Sequence, residues 1–234
     1  MGIAAMDSVG TIISDFQDFI LDKAYPCVAA RAAIAREHLA CFIADHMECP
    51  KDDHLILQFL YRFIENYRST SSTLYSAAVI FKGPDIQDEE SFDSLLWKKL
   101  QSLRRIDETR FLYDKRVSAD PLSPDFSFSL GEEAFFIIGL HPASSRIARK
   151  FKYPVLIFNP HAQFEHLRNS GLYGKMKDIV RQRDRKYSGS VNPMLSDFGN
   201  RSEIYQYSGR QYDDSWKCPL HPQHGATEFH SAEK

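Results

Sequence analysis

AFFIIGL (134–140) and PVLIFN (154–159) are the two stretches that decide the fold. Each is a short, continuous apolar run bounded by turn formers, the pattern of a strand buried on both faces. LYSAAVIF (74–81), closed by Gly83-Pro84, reads as a third strand. Around these runs the spacing becomes helical. Val9, Ile12, Ile13, Phe16, Phe19 and Ile20 recur at helical intervals over 7–23, until Tyr25 and Pro26 break the run. An Ala-rich segment with Arg31 and Arg36 predicts a second helix over 27–39, with Pro26 at its first helical position. Residues 55–68 form a third helix. Asp88, Glu89 and Glu90 open a fourth that runs to Ile106, with Leu95, Leu96, Leu100 and Leu103 on one side.

Two prolines and several turn formers make 117–131 a loop, and 144–151 reads as a short basic helix between the two deciding strands. Helices follow over 163–170 and 173–187, and periodicity fades after Ser188. With no internal repeat and no linker, the expectation is a single α+β domain: a small mixed sheet of three to five strands packed with helices. Its parts are an N-terminal helix over 1–23, the main body over 24–220 and a flexible C-terminal tail over 221–234.

Composition narrows the class of function. The chain has 234 residues, 43% hydrophobic and 26% charged, with a net charge of -2, so no basic excess exists to displace counterions from a nucleic acid. The 17 Phe and 11 Tyr suit either a rich aromatic core or a cavity for a flat apolar ligand. The N-terminus lacks a secretory pattern, Met6 stands where myristoylation wants Ser or Thr, and no stretch is long and apolar enough to span a membrane. Four cysteines without a signal read as reduced thiols, so the expected location is cytoplasmic.

FFIIGLHPASSRIARKF (135–151), PVLIFNPHAQFEHLRNSGLY (154–173), RQRDRKYSGSVNPMLSDFG (181–199), SEIYQYSGR (202–210) and WKCP (216–219) follow one another in an order that resembles the YqcI/YcgG family. YPC (25–27) at the start of an Ala- and Arg-bearing helix extends the resemblance to about residues 24–220. The resemblance implies a b-type haem. In the members whose chemistry is understood it also implies N-hydroxylation of arginine or a related guanidine, in specialised metabolism. The partners it implies are a small guanidino substrate, dioxygen or peroxide, and a separate electron donor, since the chain holds no flavin or ferredoxin domain. A haem-binding sensor or carrier without turnover is the alternative. Oligomeric state is not legible.

Within that expectation, the candidate iron ligand is Cys27. Its place at a helix start, with Arg31 one turn on, favours an anionic sulfur, and a thiolate ligand promotes O–O cleavage. The bland alternative is a small buried apolar residue. His141 ends the first deciding strand and His161 follows the second; if those strands are neighbours, both imidazoles emerge on one edge, as ligands or proton donors. Cys218 is the remaining thiol candidate. Arg146, beside Ser144 and Ser145, suits a propionate, although a solvated helix face explains it too; Asn159 and Arg210 complete the expected cofactor contacts. For a guanidinium, the carboxylates are Glu165, Asp197 and Glu203, with Phe164, Tyr205 and Tyr207 as aromatic walls. Glu165 is equally explained by an ion pair with Arg168. The groups Cys218, His221, His224 and His38, Cys41, His46, Cys49 carry metal-ligand residue types without a metal-site spacing.

Overall fold

The computed structural model describes residues 7–70, 74–197 and 199–221. The expected tail beyond His221 and the residues before Asp7 lie outside them. The elements are α1 (Val9–Leu21), α2 (Val28–Ala35), β1 (Leu39–His46), α3 (Asp53–Arg68), β2 (Ser76–Gly83), α4 (Glu89–Asp107), β3 (Phe128–Leu130), β4 (Glu133–Leu140), β5 (Val155–Pro160), α5 (His161–Asn169), α6 (Tyr173–Ser188) and α7 (Ile204–Tyr207). Five strands form one mixed sheet in the order β1-β2-β5-β4-β3. Only the β1–β2 pairing is parallel. The fold is therefore α+β, as the sequence predicts.

Three local expectations are corrected. The second helix stops at Ala35, where Glu37 turns into the left-handed region at φ 58°, and LACFIADH becomes β1. Pairing of Cys41, Phe42 and Ile43 with Ala78, Val79 and Ile80 outweighs the helical propensity of the alanines before them. The loop over 117–131 ends in β3, where Phe126, Phe128 and Leu130 alternate with Ser127 and Ser129. The basic helix at 144–151 is a single 3₁₀ turn at Ile147–Arg149. The Ser145 amide and hydroxyl both donate to Glu89 Oε1, at 2.9 and 2.7 Å, which ties this loop to α4.

Strand alternation divides the interior into two cores. Val79, Phe81, Phe135, Ile137, Leu156 and Phe158 face α3 and α4, meeting Leu60, Ile64, Leu96 and Leu100. Ala78, Ile80, Leu140, Val155 and Ile157 face the other way, against Ile12, Phe16 and Ile20 of α1 and against Phe151. A 13-residue helix is marginal alone, but three buried side chains at roughly 1.5–3 kcal/mol each fix α1 to the sheet. The N-terminal helix thus belongs to the second core.

On the first face, α3 and α4 are pinned by buried charge. Lys99 Nζ contacts Asp53 Oδ1 and donates to the Cys49 carbonyl at 2.9 Å, while Ser102 Oγ donates to Asp53 Oδ2 at 2.5 Å. Lys99 and Asp53 are both buried.

Candidate functional site

The second face of the sheet, left partly uncovered by α1, backs a cavity of about 300 Å³ closed by α2, α5 and α6. Alternation on the middle strands sets its wall. Phe136 and Ile138 of β4 point into it, as do Ile157 and Asn159 of β5, and His161 continues the β5 series at the first residue of α5. Cys27, at the start of α2, enters from one side; Phe164, Gln163 and Arg168 of α5 and Met176, Lys177 and Arg181 of α6 close others. Asp197, Arg201, Glu203 and Gln206, from the segment around α7, complete the lining.

Cys27 is the N-cap of α2, and its Sγ accepts the Ala30 amide at 3.4 Å. The helix starts at Val28, later than expected, so Pro26 precedes the cap rather than taking the first helical position. Nor is the sulfur anionic: burial pushes the thiol pKa up, and the Ala30 and Ala29 amides offset only part of that. His161 is buried, and desolvation lowers its pKa to about 4, which holds the imidazole neutral, the form that binds a metal.

His141 is elsewhere. β4 and β5 are neighbours but antiparallel, with Leu140 opposite Val155 and Phe135 opposite Pro160. Their C-terminal ends, and the two histidines, therefore stand at opposite edges of the sheet, about 20 Å apart along the strands. His141 also lies on the opposite face, stacked on Phe92 of α4 with ring centroids 4.2 Å apart. Its ring nitrogens have no hydrogen-bond partner among the described residues, and burial pushes its pKa down to about 4. Cys218 packs against the α3–α4 core, also away from the cavity.

The expected propionate residues are redistributed. Arg146 donates to Asp184 Oδ2 at 2.6 Å and to the Ser190 carbonyl at 2.9 Å, outside the cavity lining. Arg210 lies 3.6 Å from Glu90 and 3.8 Å from Asp93 on α4. Asn159 does line the cavity, but its amide is engaged: Oδ1 accepts from Ser76 Oγ at 2.7 Å and Nδ2 donates to the Phe136 carbonyl at 3.2 Å. The cations that reach the cavity are Arg149, Arg168, Lys177, Arg181 and Arg201. Arg149 is committed to the Gly139, Gln206 and Tyr207 carbonyls, at 3.2, 2.7 and 2.9 Å. None of these five was marked as a cofactor contact from sequence, because Arg and Lys on helix faces look like solvated charge.

The three carboxylates separate cleanly. Glu165 is 40% exposed, lies 3.8 Å from His161 Nε2 and is not part of the lining. Asp197 lines the cavity with Lys177 at 2.8 Å and Arg181 at 3.8 Å. Glu203 is buried, and its Oε1 accepts from Ser127 Oγ at 2.9 Å and from the Tyr207 hydroxyl at 2.5 Å. Burial pushes its pKa up to about 8, against the pull of those two hydrogen bonds. Of the aromatic candidates, Phe164 lines the cavity, Tyr205 lies under Arg201 at 3.7 Å, and Tyr207 stands just behind the wall, 6.0 Å from Phe136.

α6 covers the cavity with little apolar burial, since Asp184 is its one buried residue. Ion pairs and hydrogen bonds hold it instead. Arg183 donates to the Tyr25 carbonyl at 3.0 Å, Asp184 meets Arg146, and Lys177 meets Asp197.

Raised and lowered pKa values have opposite effects on stability. Glu203, near 8 when folded, binds its proton more tightly in the native state, so it lowers stability as pH rises from the ordinary carboxylate range to 8. Asp107, pushed up to about 6, acts likewise at lower pH, whereas His141 and His161, near 4, act oppositely up to the ordinary histidine value of about 6.5. Above that value Glu203 outweighs what remains of the histidine titration. Denaturation free energy is expected to fall by about 1 kcal/mol between pH 6.5 and 8, and to rise slightly in Glu203→Gln. An equal fall in both proteins would refute the burial of an uncharged Glu203.

A five-stranded mixed sheet packed with helices defines an α+β single-domain protein, with the candidate chemistry in a half-open cavity on one sheet face. Its sequence matches the profile of the YqcI/YcgG family over residues 16–221, and the chain belongs to that family. It is similar to the uncharacterized protein YqcI of Bacillus subtilis (strain 168), with 26% identity over 190 residues that cover 78% of this chain and 74% of that protein. No solved structure matches. Among the described residues no helix is long and apolar enough to cross a membrane, and no three His, Cys, Asp or Glu side chains gather to hold a metal ion.

Proposed function

We propose that this protein is a cytoplasmic haem-dependent oxygenase that adds one oxygen atom to a guanidino nitrogen of arginine or a related small molecule. The observation that carries this reading is one cavity that joins two iron-ligand donors, Cys27 and His161, to a buried carboxyl, Glu203, behind apolar and aromatic walls. The donor set fits b-type haem. Cys27 would hold the iron, with neutral His161 the other donor in the cavity. Phe136, Ile138, Ile157 and Phe164 would line the macrocycle, and Lys177, Arg181 and Arg201 would be the cations for its propionates. When bound, haem supplies activation of dioxygen, with electrons from a separate donor, or of peroxide.

The chain's own residues bind and orient the substrate. A guanidinium beside Glu203 draws the carboxyl proton off and forms a desolvated ion pair, which fixes one nitrogen in place. Ser127 and Tyr207 hold the Oε1 end of that carboxyl and so set its direction. The apolar walls exclude water from the pair.

Hemin titration with spectra of the oxidised, reduced and reduced carbon-monoxide forms tests the cofactor. A Soret band is expected, with the reduced carbon-monoxide band well to the red of a globin-type band and lost in Cys27→Ala. A globin-type band lost in His161→Ala instead gives the iron to histidine. Protein that stays colourless with hemin overturns the proposal. Protein that binds hemin but oxidises no guanidine is a carrier or sensor.

A further inference from the structure

We propose that Arg104 of α4 holds one small monovalent anion, of the size of chloride, in the core between α4, the loop that follows it and the C-terminal segment 216–221. Arg104 is 1% exposed, and its Nε, Nη1 and Nη2 atoms are all buried without a hydrogen-bond partner among the described residues. Lys99 and Arg149, the cations placed comparably deep, are answered. Lys99 has Asp53 and the Cys49 carbonyl, and Arg149 has three carbonyls. A guanidinium keeps its charge in a protein interior, so Arg104 leaves every N–H donor and its positive charge uncompensated, a state that folded chains avoid.

The groups around Arg104 are committed elsewhere or uncharged. Tyr113 lies against the guanidinium, with Cζ 5.1 Å from the ring centroid. That contact attracts the cation through the ring face and gives the N–H edges no acceptor. The Tyr113 hydroxyl donates to the Ser127 carbonyl at 2.6 Å. Asp107, one turn along α4, accepts through Oδ1 from the Tyr61 hydroxyl at 2.8 Å and from the Gly131 amide at 2.9 Å. Asp93 accepts from Trp97 Nε1 at 2.9 Å and from the Tyr212 hydroxyl. Cys218 packs on the same core, and burial pushes its thiol up to about 12, so it is a neutral neighbour.

Water could fill the N–H bonds but would leave the charge; a small anion answers both. The C-terminal segment roofs this core. Leu220 is buried, and the His221 amide donates to Gln101 Oε1 at 2.9 Å, one turn before Arg104. A core closed in this way selects by size, taking chloride and refusing a large organic anion. Arg104 is not part of the cavity lining, so the site is separate from the one proposed for haem.

The test exchanges sodium gluconate for sodium chloride at constant ionic strength, which holds screening fixed and varies only the small anion. The wild-type melting temperature is expected to rise with chloride and to saturate, by roughly 5–10 °C at a hundredfold excess over the dissociation constant. Arg104→Met is expected to lose that response and, in gluconate, to be more stable than the wild type, because it removes the uncompensated charge. A chloride response of equal size in Arg104→Met, or none in the wild type, overturns the site. Wild-type crystals grown in sodium bromide give a second measurement that needs no variant. An anomalous peak within about 3.5 Å of the Arg104 nitrogens supports the proposal. Water alone at that place, an acceptor from the chain itself, or bromide bound only elsewhere overturns it. If Arg104→Met does not fold, the anomalous map decides.

Discussion

Glu203→Gln is expected to lower guanidine oxygenation by two orders of magnitude or more while hemin uptake stays unchanged. Glutamine has the shape of the acid and still accepts from Ser127 and Tyr207, so the fold around α7 is kept. What it lacks is charge. A buried guanidinium without its carboxylate costs about 3–5 kcal/mol, and each 1.4 kcal/mol is about tenfold in rate. Asp197→Asn removes a carboxylate already neutralised by Lys177 and Arg181, and Glu165→Gln changes a side chain outside the lining, so both are expected to lose far less. The measurement is mass spectrometry for a product one oxygen heavier, with arginine and agmatine as substrates. Turnover that survives in Glu203→Gln and fails in Asp197→Asn would transfer the role to Asp197.

The second large effect lies on the other face of the sheet and concerns stability alone. Lys99→Met is expected to destabilise the protein by about 3–5 kcal/mol, because it strands the Asp53 carboxylate in the α3–α4 interface with Ser102 as its remaining side-chain donor. Asp53→Leu should cost a similar amount by stranding the ammonium. The double variant Lys99→Met with Asp53→Leu should recover much of the loss, since apolar replacement of a whole buried pair is often neutral. Urea denaturation of the four proteins closes the cycle. A loss below about 1 kcal/mol in both single variants would mean that water reaches the pair, contrary to its burial.

The middle of the sheet was legible because β4 and β5 are continuous apolar runs, and His161 was legible as the residue that follows one. β1 was not, since Ala40 and Ala44 dilute its pattern just after an Ala-rich helix. Strand direction was the costly omission. The connection from His141 to Pro154 holds one 3₁₀ turn, too little for the helical crossover that parallel neighbours need, so the strands run antiparallel and part the two histidines. Cys27 could be found from Pro26 and the helix start. Glu203 could not be ranked above Glu165 or Asp197, because the group that buries and orients it, Ser127, comes from a loop 76 residues earlier. Arg149 falls within the short basic helix expected over 144–151, and only the folded chain brings the carbonyls of Gly139 and Tyr207 to it.

Because α6 is attached by charge and the sheet beneath it by apolar burial, the two sides of the cavity respond to different variables. Added salt weakens the half-exposed pair at Asp197 and leaves the buried pair at Asp184 and the β4–β5 wall largely untouched. Ionic strength therefore acts on the Asp197 end of the helical cover and hardly on the shape of the wall beneath it.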